Sequence, residues 1–136
     1  ELEAARLFTL LGTAMADAAI TAWDAKYAFN DWRPVTGIPA ADTDGNPLTE
    51  AQAGWQPLLT TPPFPDYISG HSTFSAAAAA VLASEFGDEV AFSSTSDGLP
   101  GVTRAYRSFS AAAAEAGRSR IVGGIHWDFD NTEGLK

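Results

Sequence analysis

Apolar residues recur at Leu7, Leu10, Leu11, Ala14, Ala18 and Trp23. Steps of three and four place them along one stripe of an α-helix. The pattern spans residues 2–31, with Gly12 as its one glycine and no proline. Pro34 ends it, because the proline ring pushes Arg33 out of the helical region. Lys26 and Arg33 are seven residues apart, close to two turns, and share a face if the helix persists that far.

Residues 34–66 carry Pro34, Pro39, Pro47, Pro57, Pro62, Pro63 and Pro65, and read as a long loop. A loop of this length in one domain is usually functional. Phe64 and Tyr67 suggest that it packs down. Ser69-Gly70-His71-Ser72 then opens an Ala-rich helix over residues 73–86, and Gly87 supplies a stop. Residues 87–102 read as a second loop and residues 104–116 as a second Ala-rich helix that Gly117 would break. Residues 121–125 are ambiguous: the β-branched residues favour a strand, whereas Gly123-Gly124 weakens either state. With no partner strand in view, a helix or a helix after a short break is expected. The sum is an all-α domain of four to five helices with long loops.

At 136 residues the chain suffices for one domain with one modest core. The net charge of −9 argues against nucleic acid or an anionic membrane as partner. No cysteine is present, which excludes disulfides and thiolate metal sites and fits an exported, secreted or periplasmic protein. No run of ~20 apolar residues offers a membrane span; residues 7–20 are too short, and Asp17 interrupts them. The chain starts inside a helical pattern and stops just after a motif, so it reads as a piece of a longer protein. Exposed apolar faces on such a piece would favour association, as a homo-oligomer for example.

Against this acidic background, three of the eight Lys and Arg residues and both histidines fall in three segments. In Ser69-Gly70-His71 a helix start presents free N–H groups, glycine admits an anion close to the backbone, and serine adds a hydroxyl. The same tripeptide also reads as a simple helix cap beside an exposed histidine. Arg120 and His126 flank Gly123-Gly124, with Asp130 four residues beyond. Asp130 is placed to hold the second ring nitrogen of His126, or to pair with an arginine elsewhere. Lys26 and Arg33 alone read as a solvated face, but Trp23, Phe29 and Trp32 around them are unusually aromatic for one.

Together the segments form Lys-x6-Arg-Pro, Ser-Gly-His and Ser-Arg-x5-His-x3-Asp in order. This resembles the superfamily of type 2 phosphatidic acid phosphatases and vanadium-dependent haloperoxidases, from about Trp23 to Asp130. The flanks Trp23-Asp24-Ala25-Lys26, Trp32-Arg33-Pro34, Pro63-Phe64-Pro65-Asp66-Tyr67 and His126-Trp127-Asp128-Phe129-Asp130 are similar to the chloroperoxidase branch. Ile68 departs from the family's proline before Ser-Gly-His and puts the local turn in question.

The resemblance implies that residues 1–136 are the C-terminal, oxyanion-site part of a larger haloperoxidase-type bundle. It implies vanadate as cofactor, with phosphate able to take the same site. Lys26, Arg33, Ser69, Gly70 and Arg120 would hold its oxygens, His126 would be the metal ligand, and Lys26, His71 and His126 would be catalytic. Trp23 and Phe64 would line the halide pocket, and Asp130 would stand behind His126. The partners would be hydrogen peroxide and halide, with a small organic substrate as a further acceptor. The same cradle serves an acid phosphatase that works through a phosphohistidine at His126. A third expectation is a fragment that binds an anion without turnover.

Overall fold

The computed structural model describes residues 1–136. Helix α1 (Leu2–Phe29) is followed by the single turn α2 (Pro34–Gly37) and a short 3-10 turn at Ala41–Thr43. Helix α3 (Gly70–Phe86), strands β1 (Phe92–Thr95) and β2 (Thr103–Tyr106), and helices α4 (Phe109–Val122) and α5 (Asp128–Gly134) complete the chain. Helix α3 is central: α1 packs on one side, and α4 and α5 on the other. The result is the expected helical bundle, with one antiparallel hairpin in which Phe92 faces Tyr106 and Thr95 faces Thr103.

Small residues set the helix contacts. Ala18 and Ala22 of α1 and Ala113 and Gly117 of α4 are buried. A Cβ on Gly117 would meet the Asn131 Oδ1 at 2.0 Å and the Ser72 Oγ at 2.8 Å. Glycine therefore lets α3, α4 and α5 meet there, and Gly117 does not break the helix. The outer face of α1 leaves Phe8, Met15, Ile20 and Tyr27 exposed. No helix is long and apolar enough to cross a membrane.

Several sequence expectations shift in detail. Helix α1 ends at Phe29, capped by Asn30 in the left-handed region with its N–H on the Lys26 carbonyl. Lys26 and Arg33 therefore do not share a helix face; Arg33 arrives on extended backbone before α2. The loop over residues 87–102 holds β1, and Thr103–Tyr106 form β2, although residues 104–106 were expected to be helical. Helix α4 begins only at Phe109, where the Ser108 Oγ accepts the Ala111 N–H at 3.0 Å. It then continues to Val122, and Gly123-Gly124 turns the chain, with Gly124 at φ 71°. The short α5 was not anticipated. The Asp130 carboxylate accepts the Trp127 N–H at its start (2.9 Å) and satisfies one free donor of the first turn.

Candidate oxyanion site

The long loop is the scaffold of one end of the bundle. Its last segment, residues 64–68, crosses the end of α1 and is tied there by Lys26. The Lys26 ammonium donates to the carbonyls of Pro65 (3.2 Å), Asp66 (2.7 Å) and Ile68 (2.6 Å). An ammonium has three hydrogens, so this set uses all of them. Ile68, in place of the expected proline, is buried and follows a cis peptide from Tyr67. Ser69 caps α3, its Oγ accepting the Ser72 N–H at 3.4 Å.

Arg33 joins the same strap to the turn before α5. Its Nε donates to the Phe64 carbonyl (3.0 Å) and its guanidinium to the carbonyls of Ile125 (2.7 Å) and Pro65 (3.3 Å). The guanidinium also lies 2.9 Å from the His126 Nε2 and 3.0 Å from the Asp66 Oδ1. Arginine only donates, so Nε2 must offer its lone pair and the ring proton must sit on Nδ1. Nδ1 faces two carboxylates: Asp130 Oδ2 at 3.3 Å, as a hydrogen bond, and Asp66 Oδ1 at 2.5 Å. Lys26, Asp66, Ser69 and Asp130 are fully buried, and Arg33 and His126 nearly so.

The charges shift one another. Burial lowers the Lys26 ammonium to about 8, helped by Arg33 and opposed by Asp66 and Asp130. Burial likewise lowers Arg33, against the pull of the same two carboxylates. Burial raises the Asp66 carboxyl; His126 opposes that shift and Asp130 adds to it. The His71 imidazole is lowered, first by desolvation in its cavity and then by Arg120 and His126.

A cavity of about 490 Å³ opens on the other side of His126. Trp23, Phe64, Gly70, His71, Arg120 and His126, six of the residues singled out from sequence, line it. Leu59, Phe74 and Ile125 add apolar wall that the sequence did not mark. Lys26, Arg33 and Ser69 stand behind that wall rather than on it. The Lys26 ammonium is 5.3 Å from the centre of the Phe64 ring and 5.9 Å from that of Trp23. Arg120 bonds the Ser119 Oγ at 3.0 Å through Nε, which leaves the rest of its fork for the cavity. Guanidinium, helix-start N–H groups and two imidazoles around one space are a donor set suited to a small oxyanion. Asp66, His126 and Asp130 also group as metal-type ligands. The Arg33 guanidinium 3.0 Å from Asp66 already supplies the positive charge there.

Residues 6–136 match the family described as the VCPO second helical-bundle domain. The chain belongs to the vanadium haloperoxidase family. The vanadium chloroperoxidase of Curvularia inaequalis is 38% identical over an 82-residue alignment that covers 54% of this chain and 13% of that protein. The crystal structure of a bacterial vanadium-dependent iodoperoxidase superimposes with a TM-score of 0.82 at 42% identity, over 95% of this chain and 30% of its own. A holo-type bacterial vanadium-dependent chloroperoxidase shares the fold, with a TM-score of 0.68 at 23% identity over 90% of this chain and 31% of its own. This haloperoxidase bundle thus spans less than a third of the length of each of these relatives.

The residue that sequence reasoning left without a role is Asp66. It stands in a Pro-Asp-Tyr turn, where aspartate ordinarily serves the turn itself. Its one distinguishing signal is its position as the sole acid within the Phe64–Ser69 strap.

Proposed function

We propose that this chain forms the vanadate end of a haloperoxidase that oxidises halide with hydrogen peroxide. The observation that supports this reading is the convergence of His71, Arg120, His126 and the Gly70 helix start on one cavity walled by Trp23 and Phe64. The donor set fits vanadate: the His126 Nε2 lone pair, which here accepts from Arg33, would pass to the metal, and Arg120 offers a fork to tetrahedral oxygens. His126 Nε2 would hold the metal, and Arg120 and the Gly70 N–H would hold the oxygens, while Ser69, behind the wall, caps the helix that presents Gly70. Lys26 and Arg33 would add positive charge from behind the wall.

When bound, vanadate supplies Lewis-acid activation of hydrogen peroxide toward attack by halide. The chain's own residues do the rest. Asp130 accepts a hydrogen bond from the His126 Nδ1–H and so keeps the lone pair on Nε2, the nitrogen that would hold the metal. His71, lowered by burial and by Arg120, is neutral near pH 7 and accepts a proton from an oxygen beside it before returning one. Trp23, Phe64 and Phe74, whose rings pack on one another, shield the space from bulk water and give a polarisable halide an apolar wall.

The test is bromination of a phenolic dye, dependent on peroxide and on added vanadate, by the chain and by its His126→Ala variant. The expected result is turnover in the first and none in the second. Normal turnover in His126→Ala would remove the assigned ligand. Hydrolysis of p-nitrophenyl phosphate, inhibited by vanadate, in place of bromination would favour a phosphatase. Vanadate binding with neither activity would favour an inactive anion-binding piece. Replacing Phe64 with His is expected to change the chloride-to-bromide ratio; an unchanged ratio would remove the chloroperoxidase-like assignment of the pocket.

A further inference from the structure

The buried charges behind the cavity cancel. By formal charge, the two buried cations Lys26 and Arg33 are balanced by the two buried acids Asp66 and Asp130. Arg120 is then the one cation on the cavity wall without a carboxylate beside it. The two acids differ in what they do. Asp130 accepts the Trp127 N–H and the His126 Nδ1 proton, so it suffices to orient the ring. Neither buried Asp66 oxygen has a well-aligned hydrogen bond; Oδ1 instead sits in ion-pair contact with Arg33 and the His126 ring. One Nδ1–H cannot serve two carboxylates, and Asp130 has the bonding geometry. What Asp66 contributes is charge, placed 3.0 Å from the Arg33 guanidinium and 2.5 Å from the His126 ring.

We propose that Asp66 is an internal counter-anion that weakens oxyanion binding in the cavity, competing with the incoming anion for the field of Arg33 and Lys26. The inference rests on the oxyanion reading of the cavity and deepens it. A cradle with three cations and one carboxylate would hold a polyanion hard; a second carboxylate across the His126 ring loosens that hold. In an anion-free site the same carboxylate supplies the charge that Arg33 would otherwise lack, which lets the cradle stay folded while empty. At an effective dielectric of about 20, a unit charge one imidazole-width from the bound anion changes affinity by roughly tenfold or more. The sign is the distinguishing feature. A residue that merely held the site in shape would, on removal, weaken binding, whereas a counter-anion would tighten it.

The experiment is calorimetric titration of inorganic phosphate, and separately of vanadate, at pH 7, below the Lys26 value of about 8. It compares the chain with Asp66→Asn, Asp66→Ala and Asp130→Asn, the fold of each checked by circular dichroism. Both Asp66 variants are expected to bind at least fivefold more tightly than the parent chain, and Asp130→Asn to bind more weakly. Equal or weaker binding by a folded Asp66 variant overturns the counter-anion and leaves the oxyanion site standing. No binding by any form, parent included, overturns the oxyanion reading and the counter-anion with it. Loss of the folded state in both Asp66 variants would make Asp66 a structural ion-pair partner and overturn the proposal as well.

Discussion

Two regions of this bundle are buried in different ways. Along the helix contacts the interior is small and apolar: Ala18, Ala22, Ala113 and Gly117 let helices approach with little side chain between them. At the site end the large, fully buried side chains are Lys26, Asp66 and Asp130. There, cohesion comes from charged donors on backbone carbonyls rather than from apolar area. Alanine packing tolerates moderate error because helices can shift. A buried ammonium with three carbonyl partners does not, because whatever replaces it leaves acceptors and nearby carboxylates unpaired.

Predictions that test this contrast start with Lys26→Met. It should cost about 3 kcal/mol or more in urea unfolding, since it strands three carbonyls and unbalances Asp66 and Asp130. A cost below that of a small surface substitution would contradict the contrast. Ala22→Leu, at a fully buried position of α1, should cost about 2 kcal/mol by overpacking. If it exceeded Lys26→Met, the alanine contacts would be the stiffer region. Ser108→Ala removes the cap of α4 at the far end from the site and should cost about 1 kcal/mol without changing phosphate affinity.

The pH dependence sharpens the same comparison. Lys26 is lowered to about 8 in the folded chain against an ordinary 10.5. Between those values the unfolded chain binds more protons at this group, so its contribution to stability rises with pH. The penalty for burying the charged form is fully present below pH 8 and is relieved as pH climbs toward 10.5. The expected outcome is a stability difference between the parent chain and a Lys26→Met variant that grows across this window. A difference that is flat from pH 7.5 to 10 would place the Lys26 titration outside it.

The bundle was legible because helix spacing survives along α1 and because α3 is a long Ala-rich run closed by Gly87. The hairpin was not: Phe92-Ser-Ser-Thr and Thr103-Arg-Ala-Tyr are four residues each, too short for alternation to stand out from a polar loop. Helix α5 escaped because Asp128-Phe-Asp-Asn-Thr-Glu-Gly is poor in helix formers and depends on the Asp130 bond to Trp127. In the site, Arg120 and His126 reach one cavity and Asp130 meets the His126 ring, since all three lie on one short stretch. The common face expected for Lys26 and Arg33 failed because α1 stops at Phe29. The direction of both cations, toward loop carbonyls, depends on a strap some forty residues away that periodicity does not describe.

That strap has a kinetic meaning. Lys26 reaches across 40 and 42 residues of sequence to Asp66 and Ile68. Closing so long a connection is slow relative to winding either helix. The ammonium acts as a latch on the prolines' path, and the helix pair can form while the latch is still open. Amide exchange in residues 64–69 should therefore report a late-locking, early-releasing unit, and warming would dissolve the anion cradle before the helices part.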